Sequence, residues 1–179
     1  MRHARILVLW LGALLAPFAA DAGSATPSDA VQGFYRVYAT FHPSDGIPNA
    51  AGLAEYAPYL SPHLHALLQK GADAEARFAK ANKNSPPLIE GDLFTSMFEG
   101  ATGVKPGTCK VDGGTAHCTV DLVYDDGKDK PTRWTDTLVL VKSTDGWGVD
   151  DILFGGSWAF ANKGKLSDTL NEAIADSGY

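Results

Sequence analysis

Two aspartates, Asp136 and Asp151, stand in alternating segments whose apolar positions are Trp, Leu, Val and Ile. A carboxyl forced among apolar side chains can do one of two things. Desolvation raises its pKa, making it a general base or a grip for a cationic or hydroxylated ligand. Alternatively, Tyr hydroxyls, indole N–H groups or a helix end supply it with donors, and it serves the fold. Tyr35, Tyr38, Tyr124 and Trp134 are the ring faces and donors that complete this candidate ligand-binding set. Other constellations are weak. His63 and His65 stand two residues apart, which on a helix turns them about 200° from each other, so they cannot chelate one metal. HExxH, CxxC, phosphate-loop, Gly-x-Ser-x-Gly and dinucleotide motifs are missing, so neither a metal nor a cofactor is expected. No spacing among Ser, His and Asp singles out a catalytic triad, and no catalytic residue is named.

The two cysteines have a specific geometry. Cys109 to Cys118 encloses Gly113-Gly114, a pair suited to a primed hairpin turn because glycine takes positive φ freely. Counting outward pairs Asp112 with Thr115, Val111 with Ala116, Lys110 with His117 and Cys109 with Cys118. The cysteines then fall on a non-hydrogen-bonded pair, where Cα atoms approach to about 4.5 Å, within disulfide reach. A stapled hairpin is the expectation.

These side chains must be positioned by helices first and strands second. Thr26-Pro27-Ser28-Asp29 reads as a helix start, and Val31, Phe34, Tyr35, Tyr38 and Phe41 form one aromatic stripe at helical spacing. After a break at Pro43, Gly46 and Pro48, a short helical turn is expected near Gly52 to Tyr59. Ser61-Pro62 then starts a helix with Leu64, Leu67 and Leu68 inside, reaching as far as Ala81. Leu88 to Ser96 has no clear period. From Thr102 the period becomes two, with strands expected at Thr115 to Tyr124, Thr132 to Lys142 and Trp147 to Phe154. Leu166, Leu170 and Ile174 mark a short C-terminal helix.

Turn positions set the register, and a slip of one residue turns every side chain over. A turn centred on Lys128 sets Leu122 against Trp134 and Val120 against Asp136. A two-residue turn at Asp145-Gly146 sets Leu140 against Asp151 and Leu138 against Leu153. One face would then carry Val120, Leu122, Tyr124, Trp134, Leu138, Leu140, Trp147, Val149 and Leu153 with Asp136 and Asp151 among them. On the opposite face, Val139, Val141, Ile152 and Phe154 form the expected seat of the C-terminal helix.

The first residues carry a compartment signal. Arg2 and Arg5, an apolar run from Ile6 to Ala16 and Ala20-Asp21-Ala22 read as a secretory signal peptide over 1–22. Its apolar run is shorter than the roughly 20 residues that span a bilayer, and no cysteine lies at the cleavage point to take a lipid anchor. A single domain over 23–179, periplasmic or secreted, is expected. Loss of the leader changes the formal charge from −6 to −7, which disfavours nucleic acid and anionic membranes as partners.

Phe34-Tyr35, Tyr59-Leu60-Ser61, Gly91-Asp92-Leu93-Phe94-Thr95-Ser96 and the strand Trp147-Gly148-Val149-Asp150-Asp151-Ile152 resemble a family of exported bacterial proteins known only as a domain of unknown function. That family has the cystatin-like α+β cone of the nuclear-transport-factor-2-like superfamily. The resemblance spans about Pro27 to Ile174. It implies helices packed on a curved antiparallel meander, with a pocket between them that some relatives use for isomerisation or dehydration and others only for binding or dimerisation. The expected function is a non-enzymatic binding protein for a small molecule, or for a toxin or envelope protein. The rival is an isomerase or hydrolase with Asp136 or Asp151 as general base beside Tyr35, Tyr38 or Tyr124. A third reading is an envelope structural protein that forms a homodimer through its sheet.

Overall fold

The computed structural model describes residues 24–40 and 46–178. The leader expected over 1–22 lies outside the described residues, as do Phe41 and Pro43. The chain is an α+β protein in which helices precede a four-stranded antiparallel sheet of order β1-β2-β3-β4 and a short helix closes it. Helix α1 (Pro27–Tyr38) starts at a capping box: Thr26 Oγ1 accepts from the Asp29 amide and the Asp29 carboxylate accepts from the Thr26 amide. Its stripe Val31, Phe34, Tyr35 and Tyr38 is buried. Helix α2 (Ala50–Tyr56) runs into a 3₁₀ turn at Ala57–Tyr59. Helix α3 (Pro62–Ala81) begins at Ser61, whose hydroxyl accepts from the Leu64 amide, and buries Leu64, Leu67 and Leu68. Strands β1 (Gly103–Asp112), β2 (Thr115–Tyr124), β3 (Thr132–Ser143) and β4 (Gly146–Leu153) form the sheet, and α4 (Leu166–Asp176) follows. Among the described residues no helix is long and apolar enough to cross a membrane.

The stapled hairpin forms with the expected register, and Cys109 and Cys118 are bonded with Cα atoms 4.0 Å apart. Leu122 faces Trp134 and Val120 faces Asp136, also as the turn count requires. Ala116, Cys118, Val120 and Leu122 of β2 and Trp134, Asp136, Leu138 and Leu140 of β3 alternate inward onto the helices.

The β3–β4 register differs from expectation in two ways. Ser143 pairs with Gly146, so the turn is Thr144-Asp145, one residue earlier. A bulge then intervenes: Leu140 faces Val149, but Val139 faces Asp151, leaving Asp150 extra. The bulge has a physical cause. The Asp150 carboxylate accepts from Ser61 Oγ and lies 3.2 Å from His63 Nδ1, while Ser61 N–H donates to Val149 O at 2.8 Å. The start of α3 therefore draws β4 out of step. Trp147 and Val149 keep their inward places, but beyond the bulge Ile152 turns in (0% exposed) and Leu153 turns out (37%). Asp151 leaves the inner face and joins the Val139 side. The outer-face seat expected for the C-terminal helix is corrected too. Leu153 bridges Lys165, Leu170 lies against Gly71 of α3, and Leu166 and Leu170 join the main core.

Candidate functional site

Asp136 is closed in. It is fully buried and accepts four hydrogen bonds: from Ser96 N (2.9 Å), Ser96 Oγ, Trp134 Nε1 (3.0 Å) and Gly155 N (2.8 Å). A carboxylate so supplied is fixed in place, with each oxygen already accepting two hydrogen bonds. Its donors come from β3, from the irregular segment 91–98 and from the chain leaving β4. One group thus ties three parts of the fold together. Ser96 Oγ also accepts from Gly156 N, Asn162 N donates to Ser96 O, and Asn162 Nδ2 donates to the carbonyls of Asp92 and Thr95. Glycine is required at Gly156, because a Cβ there would stand 2.7 Å from the Ser96 side chain.

The segment 91–97, which has no period in the sequence, is buried throughout. Gly91 takes φ +76°, and a Cβ on it would meet the Phe98 ring at 2.5 Å. Asp92 accepts from the Phe94 amide at 2.9 Å and from the Tyr38 hydroxyl, which itself accepts from Ala101 N at 2.8 Å. Burial outweighs these donors and pushes the Asp92 carboxyl up to about 7. Burial also holds the Tyr35, Tyr38 and Tyr56 phenols above their ordinary value, with nearby Asp92 acting in the same direction. The rings of Phe34, Tyr56 and Phe94 pack together in the core at centroid distances of 5.0 to 5.2 Å.

Asp151 has a different task. Its carboxylate accepts from Ser167 N (3.0 Å), Ser167 Oγ (2.7 Å) and Ile152 N (2.9 Å), with Lys165 Nζ at 3.7 Å. Helix α4 has no side-chain cap of its own at Lys165, so β4 supplies the anion that its first turn favours.

An open groove lies at the end of the sheet beyond these networks. Segments 97–99 and 158–160 and the β2–β3 turn enclose a groove of about 630 Å³ lined by Met97, Phe98, Tyr124, Trp158 and Phe160. Phe160 is 90% exposed and Phe98 47%. Glu99, Asp126, Asp129 and Lys130 form the charged rim. The groove wall is braced from inside, because Trp134 packs edge-on against Trp158 at 5.6 Å while its indole N–H is held by Asp136. Lys163 Nζ donates to Gly156 O and Trp158 O, tying down the backbone of the same wall.

No protein-family model, curated protein or solved structure matches this chain.

The six candidate residues therefore divide among four places. Tyr124 lines the groove and Trp134 braces it. Asp136 lies beneath in the sealed network. Asp151 caps α4. Tyr35 and Tyr38 line a separate cleft of about 570 Å³ between α1 and β1, with Gln32, Arg36 and Thr102. Among the described residues no cluster of His, Cys, Asp or Glu could hold a metal ion. Sequence reasoning missed Asp92, Ser96 and Asn162, and it missed Phe98, Trp158 and Phe160. A signal was present for both groups. Gly91-Asp92 opening an apolar run is the signature of a buried Asx turn, and aromatics in an aperiodic Gly/Ser/Asn segment have no helix or strand face to bury them.

Proposed function

We propose that this protein is an exported, non-enzymatic binding protein of the cystatin-like cone type, and that it recognises its ligand in the aromatic groove rather than between helices and sheet. The observation that carries this reading is that Phe160 and Phe98, both substantially in solvent, line one groove with the half-buried rings of Tyr124 and Trp158. Contiguous exposed aromatics rimmed by polar groups mark interaction sites, and the groove volume is that of small-molecule pockets. Asp136 and Asp151, the two acids offered as a general base, are instead each held by backbone and side-chain donors. The signal-like leader and the disulfide support export to an oxidising compartment.

A fragment screen by protein-observed NMR tests this. Shifts should cluster on Met97, Phe98, Tyr124, Trp158 and Phe160. The Phe98→Ser/Phe160→Ser variant should lose them while its unfolding free energy in urea falls by no more than about 2 kcal/mol, most of it from the half-buried Phe98 ring. Perturbations centred on Tyr35, Asp92 and Asp136, or turnover of any fragment, would refute the reading.

A further inference from the structure

We infer that the groove takes an organic cation with an apolar body, such as a quaternary ammonium head group, held by the ring faces of Trp158, Tyr124, Phe98 and Phe160 and by the carboxylates of its rim. This rests on the groove being the recognition site and goes further in naming the ligand chemistry. Four aromatic rings around one groove offer the electron-rich faces that attract a cation, most strongly at Trp, and they suit methylated ammonium because it sheds water easily. The rim has matching charge: Glu99, Asp126 and Asp129 outnumber Lys130, its one lysine. Asp126 is fixed rather than loose, accepting from the amides of Lys128 (3.0 Å) and Asp129 (3.2 Å). Those two donors hold its carboxyl below the usual range, so it stays ionised across ordinary pH. Nearby Lys163 directs its ammonium to backbone carbonyls. The chain as a whole is acidic, with formal charge −6, so its field favours approach of cations.

The test uses three soluble probes of one shape on the full exported chain: choline as cation, 3,3-dimethylbutan-1-ol as its neutral carbon analogue, and 3,3-dimethylbutanoate as anion. Each is titrated by NMR, following the amides of Phe98, Tyr124, Trp158 and Phe160. Choline should bind at least tenfold more tightly than the alcohol, with no response to the anion. Asp126→Asn/Asp129→Asn, which keeps acceptors for the turn amides, should weaken choline tenfold or more and leave the alcohol unchanged. Equal binding of choline and alcohol, or preference for the anion, would overturn the cation assignment while leaving the groove as a binding site. No response to any probe would overturn it as well, and the fragment screen would then decide separately whether the groove binds at all. Choline shifts centred away from the groove would also count against it.

Discussion

At Ser96 the chain gives both its amide and its hydroxyl to Asp136, and the residue has no exposed surface. Two residues later Phe98 leaves half its ring in solvent, where burial would have been favourable by a few kcal/mol. Within three residues the chain thus passes from a fully buried, hydrogen-bonded serine to a half-exposed phenylalanine. The two conditions are connected, since the network that seals Asp136 also fixes Trp134, the ring against which Trp158 rests. Rigid support beneath and unsatisfied surface above is how a recognition site keeps its shape without a ligand.

The severest way to break that contrast is to remove the acceptor. Asp136→Ala leaves four buried donors unpaired and should cost about 3 to 5 kcal/mol in urea unfolding, with loss of the near-ultraviolet circular dichroism of the Trp134–Trp158 pair. A cost below about 1 kcal/mol would mean that the network is not what holds the segment.

Asp92 sharpens the same contrast through pH. Its carboxyl is raised to about 7 in the folded protein, against about 3.9 when unfolded. The unfolded chain therefore loses this proton first as pH rises, so the contribution is fully present below about pH 4, declines between about 4 and 7, and is gone above. Three pH units correspond to at most about 4 kcal/mol, so a loss of a few kcal/mol across that window is expected. Asp92→Asn should flatten this part of the stability profile. A profile unchanged by the substitution would show that Asp92 is ionised in the fold throughout.

The smallest effect belongs to the staple. Replacing Cys109 and Cys118 by Ala releases a covalent loop no longer than the hairpin itself and should cost no more than about 2 to 3 kcal/mol, with the groove's ligand response retained. Loss of groove binding with the fold intact would mean that the hairpin reaches the site.

How far the sequence could be read depended on how local the determining contacts were. The stapled hairpin and the β2–β3 register follow from turn chemistry a few residues away, and helix starts at Thr26 and Ser61 follow from their own caps. Asp150 was illegible because its bulge answers to Ser61 and His63, far away in the chain. Segment 91–98 failed for the same reason: it has no repeat of its own, and its conformation is imposed by Asp136 and Asn162. Tyr124 and Trp134 could be picked out as ring faces at one end of the sheet, but their partners Trp158 and Phe160 lie in a loop with no pattern to read.

The bulge at Asp150 means that β4 is read in two frames. Upstream the odd-numbered residues Trp147 and Val149 belong to the core, and downstream the even-numbered Ile152 does. Excising the one extra residue would leave both frames as they are, with Val149 running straight into Asp151; flattening the bulge with every residue kept would instead set Asp150 against Val139, sending Ile152 toward water and bringing the helix-capping carboxylate of Asp151 into the hydrocarbon interior. At this position the core depends on the extra residue being held aside, which is the work of Ser61 and His63 on the Asp150 carboxylate.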